Sequence, residues 1–263
     1  MTEPDQFSTD AYLPKTIAAK IRKAGVVKSK TSNANLLMLA VLAGAFIALG
    51  ALFYTLVVAD SAFGAGPTRM LGGIAFSLGL ILVVIAGAEL FTGNALMIIA
   101  LADEQISLRG LFRNWGIVWV GNFLGALLIA ACVVLAGTMT SGTLSDKVSE
   151  IALAKLQLDP TQAFFRGILC NILVCLAVWM SFAAHSVIGK VAVVILPISA
   201  FVGVGFEHSI ANMYVIPVAM LGGFTSWDLQ GLFWNLVFVT AGNIIGGGMV
   251  AMAYWSIYIR DSK

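Results

Sequence analysis

Apolar residues along this chain come in long unbroken runs, not in the alternation of a strand or the narrow stripe of a soluble helix. Six runs stand out, at about 36–58, 70–102, 114–136, 166–184, 191–227 and 231–258. No charge falls between Lys30 and Asp60, between Arg113 and Asp146, or between Asp228 and Arg260. A helix needs roughly 20 apolar residues, at ~1.5 Å each, to cross ~30 Å of hydrocarbon, and every run reaches that length. The pattern predicts an all-α membrane protein with six transmembrane helices. The second and fifth runs exceed 30 residues, and each holds an acid near its middle, Glu89 and Glu207. Overlong apolar segments interrupted by glycine and polar residues predict broken spans with unwound backbone. Two short additional helices are the other reading of their length.

Composition strengthens this picture. Of 263 residues, 60% are hydrophobic and 11% charged, with a mean hydropathy of +0.96. A soluble domain carries about 25% charged residues, so a soluble enzyme, a nucleic-acid binder and a disordered chain are all excluded. The net charge of +2 offers nothing to nucleic acid. Cys132, Cys170 and Cys175 all lie inside apolar runs, as packing residues do.

The charges that remain set an orientation. Lysine and arginine in the amino-terminal arm, the 103–113 loop, Lys190, Arg260 and Lys263 number 11, against four at Arg69, Lys147, Lys155 and Arg166. The positive-inside rule therefore predicts both termini in the cytoplasm and the chain in the inner, cytoplasmic membrane. The expected layout is an arm over 1–30, a channel domain over 31–259 and a tail over 260–263. Within the arm, Leu13, Ile17, Ile21 and Ala24 recur at helical spacing. They predict either an amphipathic helix on the membrane surface or a basic tail that only sets topology.

A repeat locates the candidate chemistry. Gly87-Ala88-Glu89-Leu90-Phe91-Thr92-Gly93-Asn94 matches Gly205-Phe206-Glu207-His208-Ser209-Ile210-Ala211-Asn212 as G-x-E-x-x-x-x-N, with the copies 118 residues apart. Phe112, Asn114, Gly121, Asn122 and Gly125 return as Phe233, Asn235, Gly242, Asn243 and Gly246, 121 residues on. A three-span unit ends on the side opposite its start, so a tandem copy inserts upside down. The expectation is two inverted three-helix repeats, 31–136 and 164–259, joined by a periplasmic linker over 137–163. The broken spans then meet near the midplane, where a substrate path belongs.

Glu89 and Glu207 are the acids placed within the membrane, and His208 is the deep base. Intramembrane charge costs ~2.5–3.5 kcal/mol on insertion scales, which marks such residues as functional candidates. The glutamates also suit a second role, tying the free amides of a broken helix. His208 has no repeat mate, the matched residue being Leu90, and is read as a proton or hydrogen-bond donor facing the path or as a satisfied core histidine. Thr92 and Asn212 are polar groups at the same depth. Asn243 is either a further donor or a helix-packing residue.

At these residues the chain resembles the formate/nitrite transporter family. The carrying segments are Phe76–Leu80, Gly87–Asn94, Cys170–Met180 and Gly205–Met213. The resemblance implies an aquaporin-like protomer, assembled as a homopentamer with one pore per subunit, passing formate, nitrite or hydrosulfide or the protonated acid. It implies His208 and Thr92 as a central pair between two apolar constrictions, Phe76 and Phe201 on the periplasmic side and Leu80, Leu90 and Val174 on the cytoplasmic side. Lys155 resembles the vestibule lysine that draws anions to the mouth. Gly93-Asn94 departs from the serine-rich continuation of formate channels and is similar to nitrite-type members. A water or glycerol channel is the neutral-solute alternative, although neither Asn94 nor Asn212 is followed by Pro-Ala as in aquaporins. The partners expected are these small anions, membrane lipid and further copies of the chain. No catalytic residue, cofactor or metal is expected, because two histidines, His185 and His208, make a multi-histidine centre implausible.

Overall fold

A computed structural model describes residues 11–140 and 142–260. The fold is all-helical. Helix α1 covers Pro14–Lys30, α2 Asn33–Ala59, α3 Ala65–Leu82, α4 Ile98–Ala102 and α5 Leu108–Leu135. Then follow α6 Gly142–Leu156, α7 Pro160–Ala183, α8 Val187–Val204, α9 Ser209–Leu221 and α10 Leu229–Tyr258. Among the described residues, six helical segments are long and apolar enough to cross a membrane: α2, α3 with its extension to Gly87, α5, α7, α8 and α10.

The chain marks the start of most spans with a short polar side chain that caps free amides. Ser32 accepts from Asn35 N–H ahead of α2, Ser107 from Gly110 N–H ahead of α5, and Ser186 from Gly189 N–H ahead of α8. Asp159 and Asp228 cap α7 and α10 in the same way. A helix leaves its first amides without an intrahelical acceptor, and these caps satisfy one or two of them at each start. The outward faces keep large apolar side chains exposed, Met38, Leu56, Leu135 and Leu196 among them. Hydrocarbon, not water, suits such a surface.

The second and fifth apolar segments each contain two helices separated by non-helical chain. After α3 a π-helical turn over Val83–Gly87 ends at Gly87, with φ 82°, and a 3₁₀ turn over Gly93–Met97 leads into α4. After α8 the chain turns at Gly205, with φ 86°, and resumes as α9 at Ser209. Both glycines adopt the left-handed conformation that a Cβ penalises. In each turn an N–H reaches back to a carbonyl five residues earlier, Ala88 to Val83 and Phe206 to Phe201.

Two regions differ from the sequence expectation. The 137–163 stretch, read as a linker, contains the helix α6, which buries Leu144, Val148 and Ala152. The apolar stripe of the arm covers protein and not membrane surface. Ile17 and Ile21 join a core cluster with Leu96, Ile99 and Trp179, and Gly25 lies against Ala100 and Met97, so that a Cβ there would stand 3.0 Å from Ala100 Cβ. The reason is that the short α4 and its 3₁₀ turn leave an apolar flank that no span covers, and α1 closes it.

Candidate functional site

The backbone at the two helix breaks is held by asparagines on neighbouring spans. Asn122 of α5 donates to Ala40 O (2.7 Å) and Glu89 O (2.9 Å) and accepts from Phe91 N–H (2.9 Å). Asn243 of α10 donates to Gly167 O (2.8 Å) and Glu207 O (3.0 Å) and accepts from Ser209 N–H (3.0 Å). The same three bonds occur in both halves. Helix breaks free peptide groups that hydrocarbon cannot solvate, and one carboxamide satisfies an acceptor and a donor at each break. Asn243 thus gives both its N–H donors to backbone carbonyls.

The glutamates do something else. Glu89 binds Lys28 Nζ with both oxygens at 2.8 Å and accepts from Asn94 Nδ2 at 2.7 Å. Asn94 Nδ2 also reaches Asn114 Oδ1, and Asn114 donates to the Lys28 carbonyl. In the other half Glu207 binds Lys155 Nζ with both oxygens at 2.9 Å and accepts from Asn212 Nδ2 at 2.7 Å. Asn212 Nδ2 reaches Asn235 Oδ1, which belongs to the side chain that donates to the Lys155 carbonyl. Among the described residues neither carboxylate accepts a backbone amide, so the amide-tying role read for the glutamates falls to Asn122 and Asn243. Lys155, expected as the vestibule lysine that draws anions to the mouth, has its ammonium on Glu207. Its side chain is 16% exposed and that of Glu207 is 6%.

Lys28 was not singled out by sequence. It is one of six basic residues in the arm, and nothing in composition separates it from the other five. The available signal was the buried carboxylate itself, which requires a cation close by. Asn114 and Asn235 were visible only as members of the repeat.

Between the two clusters lies His208, 3% exposed. It caps α9: Nδ1 accepts the Ala211 N–H at 3.1 Å. Its Nε2 stands 3.0 Å from Thr92 Oγ1, a contact that joins the two breaks. An Nδ1 that accepts a hydrogen bond carries no proton, so the neutral ring bears its hydrogen on Nε2 and donates it to Thr92. The Thr92 hydroxyl hydrogen is then left to face another acceptor. Phe201 stacks on the His208 ring (centroids 5.8 Å, 18°), and Phe76 meets Phe201 edge-on at 5.7 Å.

A cavity of about 600 Å³ opens on the face that bears α1 and extends inward to Leu80 and Leu90. Lys20, Lys190, His185 and the Lys28–Glu89 pair lie along it. Leu80, Leu90 and Val174 are buried to 3% exposure or less. On the opposite face a cleft of about 540 Å³ is lined by Lys155, Asn235, Asp228 and Trp234. The structure therefore brings His208, Thr92, Phe76 and Phe201 together and sets Glu89 apart from Glu207 and Asn212 in two separate clusters.

The comparisons with known proteins agree with one another. The sequence profile of the family described as Formate/nitrite transporter matches residues 15–256. The formate channel FocA of Escherichia coli (strain K12) is 39% identical, over 96% of this chain and 96% of its own. A solved structure described as a pentameric formate channel with formate bound is 38% identical, with a TM-score of 0.78, covering 87% of this chain and 98% of that one. Another, described as an FNT family ion channel, has a TM-score of 0.84 at 28% identity, covering 92% and 98%.

Proposed function

This chain belongs to the formate/nitrite transporter family, and on that premise we propose that it is a homopentameric channel, with one path per subunit, passing formate or its protonated acid. The observation that carries the proposal is the His208–Thr92 contact, which joins the two helix breaks inside an apolar surround. The protein moves a solute and catalyses no reaction. We place it in the inner membrane with both termini cytoplasmic, as the lysine and arginine count supports.

The two halves are read as inverted repeats. Support comes from the paired bonds of Asn122 and Asn243 and of the two lysine–glutamate clusters. Two further bonds link residues in equivalent places: Ser77 Oγ to Ile195 O, 118 positions apart, and Trp119 Nε1 to Thr240 Oγ1, 121 positions apart. Those are the spacings of the two sequence repeats. Equivalent residues touch where a pseudo-two-fold axis passes between them. In this reading α1 and α6 are mates, because each supplies the lysine of one cluster.

Leu80, Leu90 and Val174 form the constriction toward the α1 face, and Phe76 and Phe201 the other. A monovalent anion loses several kcal/mol of hydration between such side chains. Lys155, Glu207 and Asn212 at one end, and Glu89 at the other, make polar stations outside the constrictions. Inside, the Thr92 hydroxyl offers its hydrogen to the solute, and His208 orients it. His208 acts as a hydrogen-bond donor, and the solute acquires its proton from water at the mouth. Asn243 belongs to the scaffold of the path.

Proteoliposome uptake of formate, nitrite and hydrosulfide, in competition and across pH, tests this reading. Formate uptake that rises as pH falls supports it. Glycerol-driven swelling without formate uptake identifies a neutral-solute channel and overturns it. Nitrite or hydrosulfide outcompeting formate keeps the channel and changes the solute.

A further inference from the structure

Three polar side chains around the junction have no polar counterpart in the other half. Thr92 aligns with Ile210, and His208 with Leu90. The third is Asn171. Its place follows from bonds that occur twice, since Asn122 reaches Ala40 O as Asn243 reaches Gly167 O. Asn171, four residues beyond Gly167, therefore stands where Gly44 stands beyond Ala40. Gly44 backs onto the Asn122 carbonyl so closely that a Cβ would collide with it. At the matching carbonyl of Asn243 the second half has an amide instead, with Asn171 Nδ2 at 2.6 Å. Glycine meets the packing need of this position, so packing does not call for an amide.

The same nitrogen donates to Thr92 O at 3.2 Å. One side chain thus links the Thr92 carbonyl to the Asn243 carbonyl. Asn243 in turn holds Glu207 O and Ser209 N–H, the groups on either side of His208. Asn171 Oδ1 is buried without a partner. Most buried side-chain amides have both ends satisfied. This one is anchored at its nitrogen and open at its oxygen.

We infer that Asn171 is a positioning residue of the path, holding the Thr92 peptide in register with the His208 side so that the Thr92 hydroxyl meets Nε2. The inference rests on the channel reading given above. A double-mutant cycle tests it, with Asn171→Leu, Thr92→Val and the pair, read as formate flux per assembled channel in proteoliposomes. Asn171→Leu keeps the side-chain shape and removes both donors. Its flux falls about tenfold, the size of one lost hydrogen bond to a buried carbonyl. Added to Thr92→Val, it lowers flux by less than about twofold more, because it acts through Thr92. Asn171→Ser, which is smaller and keeps one donor, carries the same comparison if the leucine variant does not assemble. Wild-type flux in an assembled Asn171 variant overturns the inference, and so do losses that multiply in the double variant. Wild-type protein that carries no formate overturns the channel reading itself, a separate outcome of the same assay.

Discussion

The ring of His208 accepts a backbone N–H at Nδ1 and faces Thr92 Oγ1 with Nε2, so its hydrogen-bonding capacity is used up in one protonation state. Adding a proton at Nδ1 sets two donors against each other and breaks the α9 cap. His208→Asn retains a side chain suited to capping and able to donate, but unable to carry a charge. We expect it to conduct more slowly while keeping the wild-type dependence of formate flux on pH. His208→Phe removes cap and donor together, and should lose flux at every pH along with thermal stability. A flattened pH profile in the asparagine variant would show instead that the imidazole carries the proton. The lysine–glutamate clusters give a second expectation. Lys155→Met leaves Glu207 buried without its cation, a loss of about 3 kcal/mol or more. Adding Glu207→Gln should recover much of it, as melting temperatures of the single and double variants in detergent will report.

At the scale of elements, the helix breaks are set by two residue types with different tasks. Gly87 and Gly205 turn the chain in a conformation that costs other residues about 1–2 kcal/mol. Asn122 and Asn243 then satisfy the backbone that the turns release. Gly205→Ala should lower stability by about 1–2 kcal/mol. Asn243→Leu strands Glu207 O and Ser209 N–H, two backbone groups freed at the break, at about 1–3 kcal/mol each, so it should lower stability and assembly more than Gly205→Ala does. Gly93→Ala is the control, since a Cβ there meets only Val178 Cγ2, at 3.6 Å. Size-exclusion profiles and melting curves of the three variants check this order. The two interruptions fall where the overlong apolar runs carry a glycine and an acid, a signal visible in sequence. The helix α6 was not visible there, because its apolar residues are too few to stand out beside the spans around it.

For the whole molecule, α1 is the element whose role changed most. It is tied to the channel by Arg22 to Asp103, by Lys28 to Glu89, and by Arg113, which binds Ser29 O and, just past the helix, Thr31 O. An arm that only set topology would need none of these. Lys28→Met should therefore lower the yield and melting temperature of assembled channel, whereas Lys23→Met, exposed on the same helix, should leave both unchanged. Equal behaviour of the two variants would return the arm to a topological role.

Hydropathy records how each side chain is solvated, and solvation in lipid permits few backbone arrangements. The apolar spans, the two interruptions and the doubled motif therefore follow from residue order alone. Partnership does not. Lys28 meets Glu89 across 61 positions, and Thr92 meets His208 across 116. Which of six basic residues closes on a carboxylate, and whether an asparagine faces a solute or a carbonyl, depends on distances of a few ångströms between helices far apart in the chain. Packing sets those distances, and packing assigned the buried charges to ion pairs, the asparagines to the breaks, and the histidine to its threonine.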